Sequence, residues 1–208
     1  MKITKIEKQK KDSTRYNLYI DGEFGFGLYE DTILIFGLRS GDEIEEEKIK
    51  EIREQDEFNF GKKISYSFLS YRQRSKKELT KKLKEKKISE VIIDKIIKLL
   101  EDQKYIDDSS FAKLFLESKI RSKPLGKRLL QIKLFEKGID KETAENMLKE
   151  NYSEEKELES AIKLYRKYSG KVKAKDSADK KQKCYRYLIS RGFSFEIAGK
   201  VVNVEENE

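Results

Sequence analysis

Leu134-Phe135-Glu136-Lys137-Gly138-Ile139-Asp140 decides the fold, because this 208-residue chain carries the same pattern twice more. Leu83-Lys84-Glu85-Lys86-Lys87-Ile88-Ser89 starts 51 residues earlier, and Leu188-Ile189-Ser190-Arg191-Gly192-Phe193-Ser194 starts 54 residues later. Each copy reads as the junction between two helices. The leucine is the last core contact of the first helix. A basic residue (Lys86, Lys137, Arg191) suits the negative end of the helix dipole. Gly138 and Gly192 fit the left-handed position just past a helix end, where a Cβ is costly. Lys87 breaks that rule, so the first copy is expected to end its helix less tidily. An apolar residue packs back (Ile88, Ile139, Phe193). Ser89, Asp140 and Ser194 are then N-cap types, able to accept a free backbone N–H of the next helix.

The agreement extends on both sides. Ile92, Thr143 and Ile197 share one offset; Ile93, Ala144 and Ala198 the next; then Ile96, Met147 and Val201, and Ile97, Leu148 and Val202. These spacings form one apolar helix face. Leu79, Leu130 and Cys184 extend the stripe upstream by a turn. A further helical segment precedes each pair, over 61–73, 109–122 and 153–169. The unit is three helices, repeated three times. Ala112 and Ala161 align the first helices at a step of 49, so the third unit gains about five residues near 170–174, read as a loop insertion. Repeats of this period stack supersecondary units and display an extended binding surface rather than one catalytic pocket.

Composition narrows the function. Charged residues make up 41% and hydrophobic ones 37%, which suits several small cores better than one large one. There is no histidine and one cysteine, so the commonest acid–base group, zinc clusters and internal disulfides are excluded. Cys184 reads as a buried small hydrophobe. No catalytic, cofactor-binding or metal-binding residue is assigned, and the chain reads as a non-enzyme. No stretch is long and apolar enough to span a membrane, and no leader is visible at Met1-Lys2-Ile3-Thr4, so a cytoplasmic monomer is expected.

The net charge of +8 is unevenly spread. Residues 1–60 hold 10 basic and 15 acidic residues, whereas 61–208 hold 37 and 24. A basic array points to a polyanionic partner. The candidate contacts are Arg72, Arg74, Lys76 and Lys77; Lys81 and Lys84; Lys127 and Arg128; and Lys171, Lys173, Lys175, Lys180, Lys181 and Arg186. Nearby aromatics such as Tyr66, Tyr71, Tyr165, Tyr168, Tyr185 and Tyr187 are assigned mostly to packing rather than to base stacking.

The N-terminus differs. Lys2 to Lys8, Tyr16 to Ile20 and Glu23 to Leu28 read as three strands, the last two joined by the tight turn Asp21-Gly22. Thr32 to Phe36 is apolar and undecided. Arg39-Ser40-Gly41-Asp42 is a turn, and a charged helix begins at Glu45. The expected organisation is a β-rich appendage over 1–44, a connecting helix over 45–60, and three-helix repeats over 61–108, 109–152 and 153–208. The fold class is therefore mainly α: three tandem three-helix repeats in an elongated curved array, preceded by a small β-meander.

Tyr105-Ile106-Asp107-Asp108-Ser109-Ser110-Phe111-Ala112, then Leu125-Gly126-Lys127-Arg128-Leu129-Leu130 and Leu134 through Ile139, resemble the central signature of the RecX family of recombination regulators. Physically these residues read as structural. Asp107 or Asp108 caps the helix near Ser109, Pro124 fits a helix's first turn, and Tyr105 and Phe111 pack between repeats. Asp107, Asp108, Gly138 and Gly192 are thus framework residues. The resemblance implies tandem three-helix repeats. It also implies a partner, the filament that the RecA recombinase forms on single-stranded DNA, with suppression of strand exchange, ATP hydrolysis and coprotease activity in DNA repair and the SOS response. An array of this kind suits the groove of such a filament, and its basic surface could meet the protein, single-stranded DNA or double-stranded DNA. The alternative is a standalone, sequence-indifferent DNA-binding protein of helix-turn-helix-like units, with Lys77, Lys81, Lys127, Arg128 and Lys181 on the second helices.

Overall fold

The computed structural model describes residues 1–204. They form a three-stranded antiparallel sheet followed by ten helices, so the mainly α reading with an N-terminal meander holds. Two compact units emerge, one of residues 1–73 with 79–106, the other of Arg74–Glu78 with the chain from Asp107 onward.

The first unit opens with β1 (Ile3–Lys8), β2 (Arg15–Ile20) and β3 (Glu23–Tyr29), paired in that order. Asp21 and Gly22 link β2 to β3 with positive φ of 51° and 90°, the left-handed pair that a two-residue hairpin turn needs. The undecided apolar stretch is helical: α1 (Glu30–Phe36) follows β3 directly. Ile3, Leu18 and Leu28 from the sheet bury against Ile44 and Ile52. Ile52 belongs to α2 (Glu46–Ser70), a continuous helix of 25 residues that includes both the expected connecting helix and the first helix of the first repeat. Asp56 on α2 accepts the Tyr29 N–H at 2.7 Å and the Thr32 hydroxyl at 2.8 Å, tying the sheet and α1 to the helix. Helices α3 (Lys76–Glu85) and α4 (Glu90–Asp102) complete the first three-helix unit. Its core is Leu79, Leu83 and Ile88 with Ile92, Ile93, Ile96, Ile97, Leu100 and Ile106.

All three junctions close in the same way. The N–H of Ile88, Ile139 and Phe193 reaches back to the carbonyl of Leu83, Leu134 and Leu188, at 3.2, 3.1 and 3.3 Å. One residue earlier, Lys87, Gly138 and Gly192 donate to Lys84, Phe135 and Ile189 at 2.9 Å each. This nested pair of bonds is the Schellman ending, and it satisfies carbonyls that would otherwise be orphaned. The looser ending expected of the first copy is not found. Lys87 adopts the left-handed conformation itself, at φ 61°, against 88° and 87° for the two glycines. Its Cβ strain is accepted because the hydrogen bonds and buried Ile88 hold the turn. Lys87→Gly is therefore expected to raise stability by about 1 kcal/mol, read from the urea midpoint. The caps differ more. Asp140 accepts from Thr143 N at 2.9 Å and Ser194 from Ile197 N at 3.2 Å. Ser89 makes no such cap; its N–H and hydroxyl instead go to the carboxylate of Glu57 on α2.

The second unit holds α5 (Asp108–Ser122), α6 (Lys127–Glu136), α7 (Lys141–Asn151), α8 (Glu154–Ser169), α9 (Ser177–Ser190) and α10 (Phe195–Val204). Two expectations need correction. Pro124 is not in a helix's first turn: it lies in the loop before α6, whose N-cap is Gly126, and Lys123 before it is extended at φ −145° and ψ 87°. Proline there stops α5 by excluding the helical conformation of its predecessor. The insertion is not confined to a loop, since α9 has 14 residues where α6 has 10. Part of the extra sequence becomes an added first turn of α9, capped by Asp176. Tyr105 is exposed and meets Tyr66 edge-on at 5.3 Å, while Phe111 is core and stacks on Phe115 at 5.9 Å.

A repeated joint organises this unit. The segment preceding α6 meets the third junction, where the N–H of Gly126 bonds the carbonyl of Arg191 at 3.0 Å. Glu157 on α8 accepts the N–H of Lys127, the first residue of α6, at 2.8 Å. The segment Arg74–Glu78 meets the second junction by equivalent positions. Ser75 hydroxyl donates to the Lys137 carbonyl at 2.7 Å, and Asp108 on α5 accepts the N–H of Lys76 at 2.8 Å. In both places a carboxylate from the following first helix caps the start of a second helix, where free N–H groups and the helix dipole favour negative charge.

Candidate nucleic-acid and partner interface

The basic candidates come to the surface from several elements. In the first unit, Arg72 is exposed in the loop after α2, and Lys81 and Lys84 are exposed on α3. Lys84 pairs with Glu90 at 2.7 Å, which holds its charge beside the first junction. In the second unit, Arg74 is half-buried and Lys76 and Lys77 are exposed. The Lys77 stem has a packing role, because it lies over Gly138: a Cβ on that glycine would sit 2.5 Å from Lys77 Cβ. Arg128 on α6 faces solvent. Lys127 is half-buried, with its Nζ 3.7 Å from the Glu157 carboxylate that also holds its N–H.

Lys171, Lys173 and Lys175 are brought together on the loop between α8 and α9, with Lys180 and Arg186 exposed on α9 and Lys181 half-buried there. The loop is tethered. Asp179 accepts the Lys175 N–H at 3.0 Å and pairs with Lys183 Nζ at 2.7 Å, and Lys183 also donates to the Lys173 carbonyl. The hydrogen bond and charge of Lys183 hold the Asp179 carboxyl below its usual range. The cations of this loop are thus presented on a fixed backbone.

The framework candidates sit at the joints. Asp107 caps α5 through Ser109 N at 2.9 Å and Ser110 N at 3.1 Å. Gly192 leaves no room for a side chain, since a Cβ would lie 2.5 Å from Leu129 N. Cys184 is fully buried on α9, and burial pushes its thiol pKa up, away from nucleophilic use. Sequence reading passed over Glu157, which is 4% exposed. Its signal was its alignment with Asp108 at the same step of 49 that relates Ala112 to Ala161.

Burial raises the pKa of Glu157, with the N–H and charge of Lys127 opposing the shift. A raised folded pKa means that the native state holds its proton more tightly than the unfolded chain. The corresponding stability is present below the ordinary value of 4.5 and is lost as pH rises through the folded value. Glutamine keeps an acceptor for Lys127 N–H without the buried charge. Glu157→Gln is expected to match or exceed the parent in stability at pH 7 by up to about 1 kcal/mol, with the difference vanishing below pH 4.5. Urea unfolding at several pH values reads this directly.

No helix among the described residues is long and apolar enough to cross a membrane. Family comparison matches four successive segments. Residues 1–45 match the regulatory protein RecX N-terminal domain, and 62–100, 107–148 and 154–202 match the first, second and third RecX three-helix domains. A regulatory protein RecX of Leuconostoc mesenteroides is 36% identical over all of this chain and 78% of its own length. One of Listeria monocytogenes is 35% identical, over 95% of this chain and 73% of the relative. A crystal structure of regulatory protein RecX superposes with a TM-score of 0.70 at 30% identity, covering 97% of this chain and 98% of that one. The crystal structure of RecX from Lactobacillus salivarius gives 0.65 at 26% identity, over 74% and 99%. With the repeated joints and the meander, this whole-chain likeness establishes that the chain belongs to the RecX family of regulatory proteins.

Proposed function

We propose that this chain is a non-enzymatic regulator that binds the RecA–single-stranded DNA filament and inhibits its recombinase, ATPase and coprotease activities, lying in the filament groove. The observation that carries the reading is membership of the RecX family along the whole chain. The chemistry supports it. Basic side chains stand on separate repeated elements held by buried caps, so individually weak contacts can act together.

The test is the single-strand-dependent ATPase of the cognate recombinase, followed with substoichiometric amounts of this protein. Inhibition together with filament binding is the expected result. An unchanged ATPase with no filament binding would overturn the reading. Tight binding to one duplex sequence, without any effect on the recombinase, would replace it with a standalone DNA-binding protein.

A further inference from the structure

The first unit carries a cationic, aromatic strip most of whose cations lie outside the basic runs of the sequence. It consists of two adjoining depressions of about 620 and 460 Å³ that share Tyr29, Phe60 and Lys86. Phe24 lines only the first and Tyr71 only the second. These two rings are 60% and 81% exposed, an expensive way to leave large aromatics in water. Between them, Tyr29 and Phe60 stack at 5.5 Å. Cations lie across the rings: Arg53 over Phe26 at 4.4 Å, Lys63 over Tyr29 at 5.6 Å and Lys82 over Phe68 at 5.7 Å.

The charge along the strip is unbalanced. Arg53, Lys63, Lys86 and Lys87 have no carboxylate within 4 Å among the described residues; the one acid that feels Lys63 is Asp12, beyond that distance. The two acids lining it are engaged elsewhere: Asp56 takes the Tyr29 N–H and the Thr32 hydroxyl, and Glu57 takes the N–H and hydroxyl of Ser89. We propose that this strip, formed by the edge of β3, α2 and the first junction, is a binding track for single-stranded nucleic acid, with bases on Phe24 and Tyr71 and phosphates on Arg53, Lys63, Lys86 and Lys87.

Exposed rings interleaved with unpaired cations are what a flexible polyanion with flat bases requires. An extended acidic peptide is the competing ligand, and it would bind best by adding a strand to the edge of β3. That edge is plugged. The Tyr29 N–H is taken by Asp56, and the Gly27 carbonyl by Arg15 Nη2 at 3.1 Å. A strand could not continue the ladder there, whereas a nucleic acid needs only the side chains.

The test uses the full chain without any recombinase, so it can fail while regulation of the filament stands, and the reverse. A fluorescein-labelled oligo-dT is titrated at several salt concentrations, read by anisotropy. The expected result is salt-dependent binding that Phe24→Ala or Tyr71→Ala weakens by about fivefold or more each. Arg53→Gln with Lys63→Gln and Lys86→Gln should flatten the log–log salt slope by about 0.7 for each phosphate no longer neutralised. Circular dichroism melting of each variant identifies any that fail to fold; Lys63→Gln alone, at an exposed position, then carries the test. The proposal is overturned if folded variants bind oligo-dT like the parent. It is also overturned if the parent binds a polyglutamate peptide through these residues and not oligo-dT.

Discussion

Gly126→Ala is expected to destabilise the second unit by about 3 kcal/mol, the upper end of what overpacking costs. The new Cβ would overlap the carbonyl carbon and oxygen of Gly192 and the amide nitrogen of Phe193. All three are backbone atoms of the third junction, so no rotamer change relieves the clash. Moving the junction back would break the Gly126 N–H bond to Arg191, and would lift Lys127 from Glu157. A control separates this from a general intolerance of alanine. Gly199 lies within α10 with nothing within 4 Å of the position a Cβ would take, and Gly199→Ala should gain up to about 1 kcal/mol from helix propensity. Urea midpoints of the two variants should move in opposite directions. A Gly126→Ala protein that unfolds like its parent would show that the segment and the junction do not meet so closely.

The helix junctions were legible because their causes are local. A left-handed residue, an apolar residue and a capping oxygen fall within seven positions, and backbone sterics act at that range. The first copy shows the limit. Lys87 lacks the glycine but is held in the same conformation by the two hydrogen bonds of the junction and by the burial of Ile88, which together override the residue's own preference. Ser89 shows another. Its type predicts a self-made cap, but Glu57 from a different helix takes its N–H. The close approach of Gly126 to Gly192 had no local trace at all, since it depends on how the second and third repeats stack.

The interface divides along the same line. Runs such as Lys171 to Lys175 were legible as charge clusters, because adjacent residues stay adjacent. Lys127 belongs to such a pair with Arg128, but Arg128 is exposed and Lys127 half-buried, its charge engaged by Glu157. The strip beside β3 was not legible. Arg53 and Lys63 come from α2, separated by ten positions, and Lys86 and Lys87 come from the junction. Only the fold gathers them around Tyr29 and Phe60.

Tyr152→Ala is expected to cost roughly 3 to 5 kcal/mol, as for removal of other large buried rings. Tyr152 is fully buried at the end of α7, where its ring joins the core of Phe111, Leu116, Leu130, Leu134 and Leu148. Its hydroxyl donates to the Leu125 carbonyl at 3.0 Å. Leu125 precedes Gly126, so this one bond fixes the loop that meets the third junction. Tyr152→Phe keeps the ring and removes the bond, leaving a buried carbonyl short of a donor; about 1 to 3 kcal/mol should be lost. The difference between the two variants measures the ring, and the smaller loss measures the tether. Burial pushes the phenol up to about 12 from an ordinary 10. Because the folded value is the higher, the stability linked to this group is present below pH 10 and is lost as pH rises through about 12. In Tyr152→Phe that alkaline loss should shrink, measured as a flatter fall of the urea midpoint above pH 10. A Tyr152→Phe protein with the parent's midpoint at every pH would mean that the Leu125 carbonyl is satisfied without the phenol, and that the loop is seated by Gly126 alone.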